Sequence, residues 1–349
     1  MKSTNFDKKL SHFGSPASPY IIAEVGNNHL GDIEIAFKSI DAAKRCGADA
    51  VKFQLYDPEL LITSTEPVLK HVPENTFLSQ RERFQHMVLN HTDFSKLAKH
   101  ANNRGIDFLC TPFDIPSAEF LMNIVPAYKI ASGDVSNVQL IDYIAMKNKP
   151  VMVSTGLCNQ KEVDELVLRL PRERSMILHC IGAYPTPDSE VHLDLIPFYR
   201  ERYQIPVGFS DHTPDSLASL SAAALGATVI EKHFIIDKNL PGGDRDLSLD
   251  ESGMKNLIGG IRRVASMKGV SPRKITKSEK YGRSKLRRSM YTKRVICAGE
   301  TISLGDLLCL RPAAENAHPI SEIFASRKII AKIDITNEMP LTPINSDIY

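Results

Sequence analysis

Eight short apolar runs constrain this chain more than any other feature of its sequence. They occupy residues 20–25, 50–55, 107–110, 127–130, 151–154, 175–180, 206–209 and 228–233. Strands that are nearly all apolar are buried on both faces, the state of a parallel sheet covered by helices. Between the runs lie stretches such as 33–47, 93–105 and 214–226. Their apolar residues recur at three- and four-residue intervals, and their glycine endings suit helix C-caps. Eight such units in ~250 residues predict a (β/α)8 TIM barrel, because open doubly wound sheets usually have fewer strands. The alternative is an open sheet with one or two runs misassigned.

The chain has 349 residues, more than one core ordinarily needs, so a second domain is expected. The predicted division is an N-terminal extension (1–19), the barrel (20–268), a basic linker (269–288) and a small β-rich C-terminal domain (289–349). Within that last domain, strands are expected at 290–292, 295–297, 298–302, 307–310 and 329–331. Residues 56–91, with Pro58, Pro67 and Pro73, read as a long loop after the second strand, on the face of a barrel that carries chemistry.

Composition narrows the function classes. Hydrophobic residues at 42% and charged residues at 24% exclude a disordered chain, a collagen-like repeat and a disulfide-stapled mini-fold. A net charge of +2 creates no global field for nucleic acid or membrane. Residues 271–294 hold ten Lys/Arg and one Glu, but only Tyr281 and Tyr291 there can stack bases, so the stretch reads as a solvated connector. The six cysteines form no CxxC pair and read as buried reduced thiols. With no signal-like segment and no apolar run near ~18 residues, a soluble cytoplasmic protein is expected.

The ends of the predicted strands are polar in a consistent way. Glu24 closes the first, and Lys52 and Gln54 share one side of the second. Thr111 ends the third, Lys129 and Ser132-Gly-Asp134 the fourth, and Ser154 the fifth. The sixth leads into Tyr184, the seventh into Ser210-Asp-His212, and the eighth ends in Glu231-Lys-His233. A lysine among apolar strand residues is costly unless it faces a ligand or a partner. Two lysines with several hydroxyls on one rim suit an anion with many oxygens, a phosphate or a carboxylate. His212 and His233 end neighbouring strands, so both imidazoles can reach one point and bind a divalent transition metal. His179 reads as a core residue and His29 as a possible lining residue. The other histidines, at 12, 71, 86, 91, 100, 192 and 318, read as surface or loop positions. Of Asp237, Asp244 and Asp246, the Pro-Gly-Gly turn can present one to the barrel mouth.

The runs IIAEVGNNHLGD (21–32), GADAVKFQ (47–54), FLCTPFD (108–114), AYKIASGD (127–134), STG (154–156), AYPTP (183–187), GFSDHT (208–213), ALGATVIEKHF (224–234) and DKNLPGGD (237–244) occur in order. Together they resemble the sialic acid synthase family of nonulosonate synthases. The tail from Arg287 resembles that family's antifreeze-like (SAF) domain. The resemblance implies condensation of phosphoenolpyruvate (PEP) with an open-chain N-acylated amino sugar, N-acetylmannosamine or a diacetamido-dideoxyhexose, releasing phosphate. It implies a divalent metal, commonly Mn2+, on His212 and His233, with Glu24 as the carboxylate beside metal and aldehyde. Lys52, Lys129, Ser132, Ser154 and Ser210 match the PEP-binding set, and Gln54, Thr111, Asp134, Tyr184 and Asp244 fall near PEP and sugar. It further implies a domain-swapped homodimer in which Arg311 reaches the partner's sugar site. Three positions depart from the family pattern: Asp134 for Glu, Gly182 for Asn, and Arg245 for a His after Asp244.

Two other readings compete. A Schiff-base aldolase or lyase would use Lys129 or Lys52 as nucleophile but leaves the His212/His233 pair without a role. A carbohydrate- or ice-binding protein would rest on the antifreeze-like tail alone and needs neither the lysines nor the histidines.

Overall fold

The computed structural model describes residues 10–68, 77–241, 244–269 and 271–349. His71, Pro73 and the Gly242-Gly243 turn lie outside the described residues. The chain divides into two compact units, Met1–Gly269 and Val270–Tyr349.

The first unit contains eight strands: β1 (Tyr20–Gly26), β2 (Ala50–Leu55), β3 (Asp107–Pro112), β4 (Tyr128–Ile130), β5 (Val151–Ser154), β6 (Ser175–Cys180), β7 (Val207–Asp211) and β8 (Val229–His233). They pair in the order β3-β2-β1-β8-β7-β6-β5-β4, every ladder parallel, and β3 and β4 pack side by side to bring the sheet round on itself. The result is the (β/α)8 barrel rather than the open sheet. Around it run α1 (Ile33–Cys46), α2 (Pro58–Leu61), α3 (Gln80–Met87), α4 (His91–Arg104), α5 (Ile115–Leu121), α6 (Val138–Ala145), α7 (Gln160–Arg169), α8 (Leu195–Tyr203), α9 (Leu217–Leu225) and α10 (Glu251–Met267). Gly47, Gly105 and Gly226 end α1, α4 and α9 in the left-handed conformation, at φ +88°, +66° and +99°. That conformation costs a residue with a Cβ more than it costs glycine.

The segment 56–91 is not the plain loop its prolines suggest. Pro58 opens α2, where a missing N–H costs nothing, and Asp57 caps it. Ser79 caps α3 by accepting from the Glu82 amide at 3.2 Å.

Alternation along the strands divides the barrel into two cores. Ile21, Val51, Phe53, Ile130, Val153 and Ile230 point outward and pack under the helices. Tyr20, Ile22, Ala50, Leu109, Met152 and Val229 point inward and fill the lower barrel. Leu10 and Phe13, from the short helical turn Leu10–Phe13, join that inner cluster. Part of the N-terminal extension is therefore core. Each such side chain fully buried contributes about 1.5–3 kcal/mol of transfer free energy. His179 also follows the alternation: it faces outward, hydrogen bonded to the Val191 carbonyl at 2.7 Å and packed against Phe209.

The second unit holds two antiparallel pairs, β9 (Ser289–Thr292) with β10 (Leu307–Leu310) and β11 (Ile329–Ala331) with β12 (Ser346–Ile348). Residues 295–297 and 298–302 form only isolated bridges, Ile296 to Ile335 and Thr301 to Ile330, so the expected strands there are single contacts. Two helices were not anticipated: α11 (Glu279–Leu286), inside the basic linker, and α12 (Ile320–Ala325). Met290, Ile296, Ile302, Ile323, Ile335 and Leu341 form this unit's core. His318, expected at the surface, is buried there against the Ser346 carbonyl at 3.0 Å. All six cysteines are free thiols; Cys46, Cys110 and Cys180 are buried, whereas Cys297 is exposed. Among the described residues, no helix is long and apolar enough to cross a membrane.

Candidate active site

The inward parity that fills the lower barrel with apolar side chains delivers polar ones above them. Ile22 is followed two residues later by Glu24, Ala50 by Lys52 and Gln54, Leu109 by Thr111, Met152 by Ser154, and Val229 by Glu231 and His233. They converge on a cavity of about 570 Å³ at the C-terminal ends of the strands. Glu24, Lys52, Gln54, Thr111, Lys129, Ser132, Ser154, Tyr184, Ser210, His212, His233 and Asp244 all line it.

At its floor lies a cluster of two lysines and two glutamates. Lys52 Nζ is 2.8 Å from Glu24 and 3.6 Å from Glu231, and Lys129 Nζ is 3.7 Å from Glu231. Hydroxyls complete the shell: Lys52 donates to Thr111 at 3.1 Å, Lys129 to Ser154 at 2.7 Å, and Ser210 donates to Glu231 at 2.9 Å. Gln54 donates to Glu24 at 3.1 Å. All four charges are buried, and opposite signs in equal number keep the desolvation cost tolerable.

The two glutamates are driven apart. Burial pushes the Glu24 carboxyl above its ordinary range, against the pull of Lys52. Burial also opposes ionisation of Glu231, but Lys129 and Lys52 together hold it below. Glu231 therefore stays ionised while Glu24 is the group that can hold a proton, the arrangement that separates acid from base roles. Burial likewise lowers Lys129, whereas Lys52, also opposed by burial, is raised by Glu231 and Glu24.

Across the cavity His212 and His233 face each other with ring centroids 5.4 Å apart. Tyr184 stacks on His212 at 4.2 Å and stands edge-on to His233. His212 Nδ1 hydrogen bonds with the Ile181 carbonyl at 2.7 Å. His233 Nδ1 is buried without a hydrogen bond, 3.6 Å from Asp244. Burial, with His212 next in effect, lowers His233 and keeps the ring neutral. Among the described residues, no three His, Cys, Asp or Glu side chains close a metal site by themselves.

Behind the histidines, Asp211 and Lys232 point outward from β7 and β8 and form an ion pair of 3.3 Å with both side chains fully buried. Asp211 accepts from Thr213 N at 2.8 Å, Thr213 Oγ1 at 2.7 Å and Ser219 Oγ at 2.5 Å, and Lys232 donates to the Thr213 carbonyl. This network fixes the strand ends that carry the two imidazoles.

Two expected residues, Asp134 and His29, fall elsewhere. Asp134 does not line the cavity: the turn Ser132–Asp134 presents Ser132 and Gly133 and carries the Asp134 side chain away, its Oδ2 buried without a partner. Arg311 belongs to the second unit, where it is exposed after β10. His29 packs on Phe53 and accepts from Gly31 N at 3.1 Å instead of lining the cavity. Asp237 caps a turn through Asn239 N and Asp246 pairs with Arg245 on the surface, so Asp244 is the loop acid at the barrel mouth.

Sequence reasoning named Glu231 among the strand ends without giving it a role, and did not place Arg83 or Cys180 in the site. Glu231 and Cys180 carried a signal, the inward parity with His233 and Leu178. Arg83 carried none, because α3 was read as loop. Gly182 also acquires a reason: a Cβ there would lie 2.5 Å from Leu157 Cδ2, so Leu157 fills the space a side chain at 182 would take.

The chain is 37% identical to the N,N'-diacetyllegionaminic acid synthase of Legionella pneumophila, over 90% of this chain and 91% of that one. It is 33% identical to a pseudaminic acid synthase of Campylobacter jejuni, over 87% and 90%. The crystal structure of N-acetylneuraminic acid (sialic acid) synthetase from Leptospira borgpetersenii, in complex with citrate, superposes with a TM-score of 0.68 at 29% identity, over 76% of this chain and 90% of that one. Residues 39–272 match the NeuB family, and the chain belongs to it.

Proposed function

We propose that the chain is a metal-dependent synthase that joins PEP to the aldehyde of an open-chain N-acylated amino sugar, giving a nonulosonic acid and phosphate. The observation that carries this reading is the shared cavity, with a lysine- and hydroxyl-rich floor on one side and a histidine pair beside a protonatable glutamate on the other. Lys52, Lys129, Ser132, Ser154 and Ser210 supply the charge-assisted donors that hold PEP's phosphate and carboxylate. The residues also fit a divalent cation: His233 keeps a buried ring nitrogen unused, and Asp244 and Glu24 offer carboxylates nearby. His212 and His233 would hold it, with open positions left for substrate and water. A bound cation such as Mn2+ supplies Lewis-acid polarisation of the aldehyde.

PEP C3 forms a bond to the aldehyde carbon, whose oxygen takes a proton. Water adds to C2 and gives up a proton, and the C2–O bond to phosphate then breaks to leave the 2-keto acid. Glu24, raised by burial and hydrogen bonded to Gln54, is placed to hold and pass the proton. Lys129, lowered by burial, is the one feature that favours the Schiff-base reading. Borohydride trapping of a substrate adduct on Lys129 would support that alternative.

Phosphate release from PEP with Mn2+, across a panel of N-acyl hexosamines with and without chelator, tests the proposal. Release with one sugar that stops on chelation is expected. Full turnover in chelator, with His212→Ala retaining wild-type metal content, would overturn the metal assignment.

A further inference from the structure

Among the described residues, Arg83 is the cation this cavity leaves unmatched. It projects from α3, is 9% exposed and lines the cavity. Lys52 and Lys129 each have a carboxylate within 4 Å and a hydroxyl partner, whereas the Arg83 guanidinium makes no hydrogen bond or ion pair with a described residue. Its Cζ lies 5.9 Å from the Phe84 ring, and Asp244 acts on it only through space. None of its nitrogens is among the fully buried unpartnered atoms, so its donors open into the cavity, free for a ligand's oxygens.

The helix that carries it is held in place rather than loose. Gln80 N donates to the Glu66 carbonyl at 2.9 Å, and Arg81 Nε to the Ile62 carbonyl at 2.9 Å. Its neighbours tie Arg83 to the aldehyde end of the cavity. Asp244, whose charge acts on Arg83, lies 3.6 Å from His233, and Gln54, from the strand that precedes α3, hydrogen bonds to Glu24. On the reading above, the histidine pair and Glu24 serve the aldehyde, so these neighbours are the acceptor's.

We propose that Arg83 recognises an anionic group on the acceptor sugar, a phosphate ester or a carboxylate at the end remote from the aldehyde. A planar guanidinium matches either oxyanion through two parallel hydrogen bonds. This rests on the synthase reading and narrows its substrate class.

The test uses the full-length protein with PEP, Mn2+ and three acceptors: N-acetylmannosamine, its 6-phosphate and N-acetylmannosaminuronate. Which of the two charged sugars wins tells a phosphate from a carboxylate. The preferred charged acceptor should exceed the neutral one by about 10- to 100-fold in kcat/KM, the range of a charge-assisted pair. In Arg83→Met that ratio should collapse toward one, with Arg83→Lys recovering part of it. Equal use of charged and neutral sugars by the wild type, or an Arg83→Met effect that falls on the KM for PEP, overturns the proposal. Calorimetric binding of the same sugars separates the two claims. If no acceptor releases phosphate, the synthase reading fails; tighter binding of a charged sugar, lost in Arg83→Met, still upholds Arg83, and equal binding overturns it.

Discussion

At the scale of single residues, the structure turns on ionisable groups taken out of water. Asp134 is the simplest, because its buried Oδ2 has no hydrogen-bond partner among the described residues. Burial raises its carboxyl from 3.8 to about 7, with Lys129 only partly opposing. Between those values the folded protein binds a proton that the unfolded chain releases. Stability should therefore fall as pH rises through that window, by up to about 1.4 kcal/mol per pH unit. Asp134→Asn removes the charge and should flatten the slope. Denaturation midpoints from pH 4 to 8 check this, and an unchanged slope in the variant would refute it. The parity rule made most of the site legible at this scale: once Lys52 and Gln54 share a face, Glu24, Ser154, Glu231 and His233 follow from their own strands. Asp134 was misplaced because a tight turn at the end of β4 does not obey the two-residue period.

At the scale of elements, the strand ends are held by a second, hidden set of charges. Asp211 and Lys232 each precede one of the facing histidines and pair on the outer side of the barrel, fully buried. Removing one partner leaves the other charged, so Lys232→Met should cost about 3–5 kcal/mol. Replacing both, as Asp211→Leu with Lys232→Met, should recover part of that loss. Urea unfolding of the three variants decides it; a double variant no better than the single one would show that the hydroxyl network, rather than the ion pair, holds the strand ends. The same scale explains the failure at 56–91. Pro58 and Pro67 signal a break in the chain, but a capped helix can follow a break, and Ser79 starts one that carries Arg83 into the cavity.

At the scale of the whole molecule, the chain comprises two units, each with its own core. We propose that the second unit is an antifreeze-like domain that brings Arg311 to the site of a second copy. Arg311→Ala should then raise the KM for the acceptor by about tenfold or more while leaving the KM for PEP within twofold. Mixing that variant with a barrel-inactive Lys129→Ala chain should restore some activity, because one hybrid site recovers both groups. No rescue, with unchanged acceptor KM in the single variant, would remove Arg311 from the site and the swap with it.

The sequence alone determined the barrel and most of its rim. Periodicity is local: two residues for a strand and 3.6 for a helix decide which side chains face inward, and eight repeats of that pattern leave few ways to bury the apolar faces. What only the tertiary structure decided is which polar groups find partners. The pairing of Lys52 and Lys129 with Glu24 and Glu231 links residues from four strands, and burial then sets which glutamate holds a proton. Arg83 reaches the same cavity from a helix with no apolar pattern to announce it. Electrostatic partnership and desolvation depend on distances across the fold, and no local spacing encodes them.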